Sequence, residues 1–232
     1  MFRDLVRRLS AATPAQCEVC RAWPAAPLCA GCLAEFAVPR HRCRLCALAV
    51  PEGVERCGRC LREPLPLDEC HAAVSYGFPW AGLVARLKFS GDAGWAETFA
   101  EVMAGHPGIR SCVADADLVL PMPLAPPRLA ARGFNQAWEL ARRLAPGKAD
   151  PAVAVRLRDT PPQARLDRAA RLANLRHAFA VEPSQAARVR GRGVVLVDDV
   201  MTSGASLASL AQALHQAGAA RVAAVVLART ED

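Results

Sequence analysis

Residues 194–207, with the sequence VVLVDDVMTSGASL, decide the fold class of this chain. The first four residues are apolar without polar alternation, which is typical of a strand buried on both faces of a parallel sheet. Two adjacent carboxylates, Asp198 and Asp199, follow at the predicted carboxyl end of that strand. A turn of small residues then opens a helix with an apolar face made of Leu207, Leu210, Ala211 and Leu214. The segment therefore predicts a strand, turn and helix unit of an α/β fold.

The turn of this unit is suited to binding a phosphate group. Its residues are Thr202, Ser203, Gly204, Ala205 and Ser206. They leave backbone N–H groups free at a helix N-terminus, where the helix dipole is also positive. Ligands of open α/β sheets bind beyond the carboxyl ends of the strands, so the two acids would hold other groups of the same ligand. The alternative, acids that serve only solubility, gives no reason for adjacent carboxylates after a buried strand.

The whole segment resembles the phosphoribosyl pyrophosphate (PRPP) signature of type I phosphoribosyltransferases. That signature is a hydrophobic strand, paired acids and a loop of the form Thr/Ser-Gly-x-Ser/Thr. The resemblance implies that Asp198 and Asp199 hydrogen-bond the ribose 2′- and 3′-hydroxyls. It also implies that residues 202–206 cradle the 5′-phosphate.

Eight of the ten cysteines form four CxxC pairs, and each pair can aim two thiolates at one metal ion. The pairs are Cys17/Cys20, Cys29/Cys32, Cys43/Cys46 and Cys57/Cys60, whereas Cys70 and Cys112 stand alone. Two pairs complete a tetrahedral site with no open position, so the pattern predicts two structural Zn²⁺ ions. Sequential pairing closes short ribbons without crossing, and we favour it. A cross-brace, in which the first pair joins the third and the second joins the fourth, fits the same spacings.

Composition places the protein among globular chains with a small extra domain. The chain has 232 residues, of which 53% are hydrophobic and 5% aromatic. Its first ten residues are amphipathic without the apolar core of a signal peptide, and no run approaches the roughly 18 apolar residues of a spanning helix. We therefore expect a cytoplasmic protein without membrane insertion, in which cysteines are reduced and bind metal instead of forming disulfides.

The positive charge of the chain is concentrated before the acid pair. The net charge is +7, and residues 121–192 alone hold 14 Lys and Arg against 5 Asp and Glu, whereas residues 1–70 hold 10 against 8. An anionic substrate would need such neutralisation. A solvated basic face or an attraction to DNA gives the same pattern, and charge alone does not choose between them.

Two further segments repeat the arrangement of strand, loop and helix start. Residues 72–78 and 117–120 are predicted strands, and 222–228 is a last buried strand. Lys88 follows the first of these at a loop where a phosphate could be met, or it covers the edge of the core. Pro121, Met122, Pro123 and Leu124 end the second strand, and Arg132 precedes the next helix, where an anion would bind.

Taken together, these motifs resemble the ComF family (ComFC/GntX-like), which joins a double zinc ribbon to a type I phosphoribosyltransferase domain. The matching residues are the four CxxC pairs, residues 87–92 (LKFSGD), 121–124 (PMPL), 132–136 (RGFNQ), the acid-pair segment, and Thr160, Gln163, Leu166, Arg171 and Asn174. The resemblance predicts an α/β fold, with helices on both faces of a parallel sheet preceded by a small Cys-rich double zinc ribbon. The predicted domains are an N-terminal amphipathic segment (1–16), the double zinc ribbon (17–62), a linker (63–71) and the phosphoribosyltransferase-like domain (72–232).

The resemblance also implies a reaction and partners. Pyrophosphate would be displaced from ribose C1, with Mg²⁺ carried by PRPP and with Asp198 and Asp199 beside the reacting centre. Lys88, Pro123, Arg132 and Arg171 would face the pyrophosphate, and residues 158–174 would close over the site. The family is linked to DNA uptake in natural transformation, so single-stranded DNA or competence helicase-type proteins are further implied partners. A nucleic-acid-binding adaptor and a PRPP sensor without turnover remain as alternative functions.

Overall fold

The computed structural model of the chain describes residues 15–89, 92–157 and 178–231. The predicted loop at 158–174, with Arg171, lies outside the described residues, as does nearly all of the predicted segment 1–16. The chain divides into two compact units, Met1–Val38 and Pro39–Asp232. Among the described residues, none of the helices combines the length and the apolar character needed to cross a membrane.

The described part of the first unit, residues 15–38, contains two cysteine knuckles and one helix. A pair of backbone hydrogen bonds joins Ala15 to Ala25, with N···O distances of 2.9 and 2.8 Å. Helix α1 (Ala30–Phe36) begins after Cys29, whose Sγ accepts a hydrogen bond from the backbone N–H of Cys32. The side chain of Cys29 therefore takes the place that a polar N-cap side chain occupies in other helices.

The second unit contains a four-stranded parallel sheet in the order β1-β6-β5-β2. Its strands are β1 (Glu69–Ser75), β2 (Leu118–Pro121), β5 (Gly193–Met201) and β6 (Arg221–Arg229). A separate antiparallel pair is formed by β3 (Ala154–Arg156) and β4 (Phe179–Val181). The chain between these two short strands contains the predicted loop at 158–174.

The described residues of the second unit contain eight helices. They are α2 (Gly58–Arg62), α3 (Trp80–Phe89), α4 (Trp95–Gly105), α5 (Pro107–Asp115), α6 (Pro126–Arg132), α7 (Gln136–Leu144), α8 (Ala186–Val189) and α9 (Ala205–Gln216). Helix α7 packs on β2 and β5, α5 packs on β1, and α9 packs on β6 and β4. A short 3₁₀ turn, Pro183–Gln185, precedes α8.

Both faces of the central strands are covered, as the apolar run of residues 194–197 predicts. Every residue of β6 after Arg221 is buried, and so are Val194, Val195, Leu196 and Val197 of β5. Because neighbouring residues of a strand point to opposite faces, burial without alternation requires packing on both sides. The predicted α/β fold with a parallel sheet is confirmed.

The structure differs from the predicted elements at the start of the sheet. Residues 63–71 are predicted as a linker, but Leu65 and Leu67 are buried in the core and β1 already begins at Glu69. The strand predicted at 72–78 accordingly ends at Ser75. Prolines and charges in 63–71 suggest an exposed linker, whereas its two leucines supply enough apolar surface to hold the segment against the sheet.

The compact units also divide the chain at a different place from the predicted domain boundaries. Cys43, Cys46, Cys57 and Cys60 are buried in the same core as β1, β5 and β6. The carbonyl oxygen of Cys46 accepts a hydrogen bond from Nε of Arg229, at 2.8 Å, on the last strand. The second pair of CxxC motifs is therefore an integral part of the second unit.

Candidate functional site

The acid pair lies where strand β5 continues beyond its neighbour β2. The pairing with β2 ends at Pro121 and Val197, whereas the pairing with β6 continues to Met201 and Arg229. Asp198 and Asp199 are therefore part of the strand, one step past the end of β2. The prediction placed them after the strand; the pairing with β6 keeps the backbone extended through both acids.

The two acids are held close together and are largely shielded from solvent. Asp199 is buried, Asp198 is partly buried, and Oδ1 of Asp198 accepts a hydrogen bond from the backbone N–H of Asp199 at 2.9 Å. Burial raises the pKa of Asp198 to about 7, and the negative charge of Asp199 adds to the rise. Lys88 opposes this rise in the pKa of Asp198. Such a perturbed carboxyl at a strand end is typical of a functional site.

Helix α3 delivers Lys88 to the acid pair. Nζ of Lys88 lies 3.0 Å from Oδ2 of Asp199, and both side chains are largely shielded from solvent. This Oδ2 atom is buried and has no hydrogen bond in the described residues, so the contact is an ion pair without hydrogen-bond geometry. The sequence predicts Lys88 at a loop, either near a phosphate or over the edge of the core, whereas the structure places it in the last turn of α3, beside the acids of β5.

The turn after β5 leaves backbone donors free at the start of α9. Gly204 has φ of +78° and precedes the helix, and the first helical hydrogen bond runs from the N–H of Ala208 to the carbonyl oxygen of Gly204, at 2.9 Å. The N–H of Ala205 donates to Oγ of Ser203 at 3.3 Å. The N–H groups of Ser206 and Leu207 come before the first helical bond, so they have no partner within the helix. This arrangement is suited to an anion.

The packing as well as the φ angle favours glycine at position 204. A Cβ atom there would lie 3.0 Å from Cδ1 of Leu65 and would also overlap the side chain of Met201. Both neighbours are buried, so they have little room to move. The turn is therefore held close to the core by the absence of a side chain.

The loop that follows β2 is fixed by Asn135. Nδ2 of Asn135 donates to the carbonyl oxygen of Met122 at 3.0 Å, and Oδ1 accepts from the backbone N–H groups of Ala137 and Trp138 at 2.9 and 3.4 Å. Asn135 thus caps α7 and at the same time holds the loop containing Pro123. The sequence carried a signal for this role, since Asn before an apolar helical pattern is a preferred N-cap.

Arg132 and Phe89 form a second link in the same region. The guanidinium carbon of Arg132 lies 5.3 Å from the ring centroid of Phe89, and Nη1 donates to Oε1 of Gln136 at 3.0 Å. Phe89 follows Lys88 at the end of α3 and is 75% exposed. The structure therefore connects Arg132 to the helix end that carries Lys88, a neighbourhood that spacing alone does not reveal.

The eight paired cysteines form two separate clusters. One contains Cys17, Cys20, Cys29 and Cys32, and the other contains Cys43, Cys46, Cys57 and Cys60; in each, the ligand atoms lie within 4.8 Å of one another. The Sγ atoms are 3.8 Å apart in Cys17 and Cys32, and 3.6 Å apart in Cys46 and Cys57. Four sulfurs about 2.3 Å from a tetrahedral zinc ion are about 3.8 Å from one another. Both clusters could hold structural zinc, in the sequential arrangement.

Comparison with known proteins agrees with this geometry. A family model described as a phosphoribosyl transferase domain matches residues 129–232, which include the acid pair and the turn before α9. DNA utilization protein YhgH of Escherichia coli O6:H1 is 31% identical over 227 residues, which is 94% of this chain and 98% of that protein. Competence protein F of Haemophilus influenzae is 28% identical over 210 residues, covering 87% and 90% of the two chains.

Among solved structures, an allosteric regulatory enzyme of purine biosynthesis aligns with 60% of this chain and 25% of its own, at 18% identity and a TM-score of 0.36. The sequence relatives are matched over nearly their whole length. Together with the phosphoribosyl transferase domain and the two Cys₄ clusters, they show that this chain belongs to the ComF family (ComFC/GntX-like).

Proposed function

We propose that this chain binds PRPP with Mg²⁺ and transfers its phosphoribosyl group with release of pyrophosphate. The observation that carries the proposal is the place of the acid pair and the α9 N-terminus at one end of β5. Carboxylates and free N–H groups are the partners that sugar hydroxyls and a terminal phosphate need. A sugar phosphate offers both kinds of group on one small molecule.

Each part of the site has a role in this proposal. Asp198 and Asp199 accept hydrogen bonds from the ribose hydroxyls. The 5′-phosphate accepts hydrogen bonds from the backbone of the turn formed by Thr202, Ser203, Gly204, Ala205 and Ser206. We assign four residues to the side of the site that faces the pyrophosphate. They are the basic residues Lys88, Arg132 and Arg171, together with Pro123.

The reaction is a substitution at ribose C1. A bond forms between the acceptor nucleophile and C1, the bond from C1 to the pyrophosphate oxygen breaks, and pyrophosphate leaves with the electron pair. Positive charge develops on the ribose ring in the transition state, and the two carboxylates beside the ring favour it. Oxygen ligands suit Mg²⁺, which arrives with PRPP and supplies positive charge to the leaving group.

Lys88 must share Asp199 with the ligand or release it. Nζ of Lys88 lies 3.0 Å from Oδ2 of Asp199, and an ammonium group near a polyphosphate would gain a new partner with more negative charge. We therefore expect Lys88 to neutralise Asp199 before PRPP binds and to share or release this carboxylate when the ligand is bound.

The two Cys₄ clusters hold structural zinc in this proposal. Four thiolates fill the coordination of each ion, so no position is open for a reacting water. The names of the relatives place them in DNA utilization and in competence, and we propose a cytoplasmic role in DNA uptake for this chain as well.

The experiment that tests the proposal compares the wild type with the variant Asp198→Asn/Asp199→Asn. Calorimetry and thermal melting with PRPP and Mg²⁺ should show binding and a higher melting temperature for the wild type only. Ribose 5-phosphate serves as a control ligand, since it lacks the pyrophosphate. A folded, zinc-replete wild type that binds no PRPP would overturn the proposal.

Turnover is measured separately, by pyrophosphate release with candidate acceptors. PRPP binding without pyrophosphate release with any acceptor would make the protein a PRPP sensor without turnover.

The second candidate function is an adaptor that binds nucleic acid, alone or with a competence helicase-type protein. The charge of residues 121–192, 14 basic against 5 acidic, is the observation that favours it. Phosphate contacts by basic residues make affinity fall steeply with salt. A titration of single-stranded DNA at rising salt tests this candidate, and absence of binding at low salt would remove it.

A further inference from the structure

A third group of potential metal ligands lies away from both the acid pair and the Cys₄ clusters. Glu69 and His71 of β1 and Cys112 of α5 each place one ligand atom within 4.8 Å of the other two. Cys112 is 2% exposed, whereas the side chains of Glu69 and His71 keep 18% and 27% of their exposure. These three residues, here called the mixed cluster, have no role in the proposed function.

The mixed cluster is held by regular secondary structure. Glu69 and His71 are two positions apart in β1, so their side chains leave the same face of the strand. Cys70 between them points the other way, and its Sγ lies 3.6 Å from Sδ of Met201. Cys112 comes from α5, which packs on β1. Ligands on a strand and a helix keep their positions better than ligands on a loop.

Gly108 allows the histidine ring to lie against α5. A Cβ atom at position 108 would be 2.6 Å from Nδ1 of His71, which is too close for a side chain. Gly108 and Cys112 are four residues apart and therefore share one face of the helix. The Nδ1 edge of the ring is thus placed against the helix, while Nε2 lies 3.5 Å from Oε2 of Glu69.

The distances and chemistry of the mixed cluster fit zinc. Nitrogen and oxygen ligands about 2.0–2.1 Å from a tetrahedral zinc ion are about 3.4 Å apart, close to the 3.5 Å between His71 and Glu69. A thiolate excludes Mg²⁺ and Ca²⁺ as the preferred ion. Nη2 of Arg221 donates to Oε1 of Glu69 at 2.5 Å, which orients the carboxylate, and the thiol of Cys112 is hydrogen-bonded to the same carboxylate.

The mixed cluster also has an opening to solvent. Glu69 and His71 line a cavity of about 340 Å³, whose other lining residues include Arg40, Arg42 and Arg44 but not Cys112. His106 lines the same cavity, but its Nδ1 accepts a hydrogen bond from the N–H of Ile109 at 3.3 Å and caps α5. Three protein ligands remain, so a fourth coordination position would face the cavity. Such an open position distinguishes this site from the closed Cys₄ clusters.

We propose that Glu69, His71 and Cys112 bind a third zinc ion, with one coordination position open to the cavity. Binding replaces the thiol proton of Cys112, which passes to solvent, by the bond from sulfur to zinc. The thiolate and the carboxylate then each bring a negative charge to the ion, and Glu69 shares its charge with Arg221.

The test counts metal ions in the complete chain. Reduced protein is loaded with excess Zn²⁺, passed over a desalting column, and analysed by mass spectrometry of the metal. We expect three ions per chain in the wild type, and two in Cys112→Ala and in Glu69→Gln. Cys70→Ala is the matched control, because it removes the neighbouring buried cysteine from the opposite face and should keep three ions.

Loading with Co²⁺ provides a second readout, the absorption spectrum, which does not depend on the number of metal ions per chain. The third equivalent of Co²⁺ should show the weak charge-transfer band of one thiolate, and this band should be absent in Cys112→Ala. His71→Asn replaces Cys112→Ala if that variant does not fold. A wild type that saturates at two ions, a third ion retained by both Cys112→Ala and Glu69→Gln, or a third equivalent with a Cys₄-like spectrum would each overturn the proposal.

Discussion

At the scale of single residues, the burial of Asp198 beside Asp199 has a cost in stability. Its pKa is raised from 3.8 to about 7 by burial and by the charge of Asp199. Between these two values the folded state binds more protons than the unfolded state, so stability falls as the pH rises from about 4 to 7. Above pH 7 Asp198 is ionised in the folded state as well, and its destabilising contribution stays at its full size.

We therefore expect Asp198→Asn to be more stable than the wild type at pH 8, by about 1 to 3 kcal/mol. The difference should shrink towards pH 5, where Asp198 of the folded wild type is already protonated. Urea unfolding at both pH values measures it, and the variant should also lose PRPP binding. Equal stability of the two proteins at pH 8 would contradict the raised pKa.

Asp117→Asn is a control for which the pKa shift, and therefore the expected change in stability, has the opposite sign. The backbone N–H of Gly193 donates to Oδ2 of Asp117 at 2.8 Å, and this bond lowers the pKa of Asp117. A lowered pKa adds stability above the unfolded value and loses it as the pH falls. Asp117→Asn should therefore be less stable than the wild type at pH 8, and a gain there would show that the pH effect is not specific to the acid pair.

Gly204 and Gly191 separate the two reasons for glycine in a turn. Both have positive φ, +78° and +69°, but only at Gly204 would a Cβ atom meet neighbouring side chains. We expect Gly191→Ala to lose about 1 kcal/mol, from the left-handed backbone alone, and Gly204→Ala to lose about 2 to 4 kcal/mol. Chemical denaturation provides the comparison. Similar losses in the two variants would mean that the close approach to Leu65 does not constrain the turn.

At the scale of elements, the buried strands were the most predictable part of the chain. The run at 194–197 and the last strand at 222–228 are apolar at every position or nearly so, and only burial on both faces explains such runs. The acids of β5 were predicted outside the strand, because charge usually ends an apolar pattern. Pairing of Asp198 with Val226 of β6 overrides that local signal.

Elements without a strong pattern were harder to predict. Helix α5 begins with Pro107 and Gly108, which are typical of a turn as well as of a helix start. The contacts of Lys88 with Asp199 and of Arg132 with Phe89 join residues 111 and 43 positions apart. No local pattern contains that information, since it arises only when the sheet brings the strand ends together.

Asn135 shows how one side chain links an element to the site. We expect Asn135→Ala to lose about 1 to 2 kcal/mol of stability, because it removes the cap of α7 and the hydrogen bond to Met122. Asn135→Asp is the matched variant, since it keeps an oxygen for the N–H groups of Ala137 and Trp138 and puts a charged acceptor in place of the donor to Met122.

Thermal unfolding and PRPP titration of the two variants distinguish the contributions. Asn135→Asp should keep most of the stability but bind PRPP more weakly, because the loop containing Pro123 is no longer held by the side chain. Unchanged PRPP affinity in Asn135→Asp would show that the loop keeps its position without this bond.

At the scale of the whole molecule, the two Cys₄ clusters have the same sequence pattern but belong to different compact units. Spacing predicts both as parts of one ribbon module, since each has two CxxC pairs. Burial separates them. Cys43 lies in the core that also contains Leu65 and the central strands, whereas Cys17 lies in the unit that ends at Val38. The apolar residues around the second cluster are scattered over residues 39–72, so the sequence does not reveal that this cluster belongs to the core of the sheet.

The last prediction compares Cys43→Ser with Cys17→Ser, which remove the first cysteine of each cluster. Both thiols are completely buried, so the two substitutions differ mainly in the core they disturb. Cys43→Ser should lower the stability of the sheet by about 3 kcal/mol or more, because loss of a metal ligand also loosens the packing on β5 and β6. Cys17→Ser should leave the sheet unchanged. Amide hydrogen exchange of β5 and β6 measures the difference directly, and faster exchange in both variants, or in neither, would refute the assignment of the second cluster to the core of the sheet.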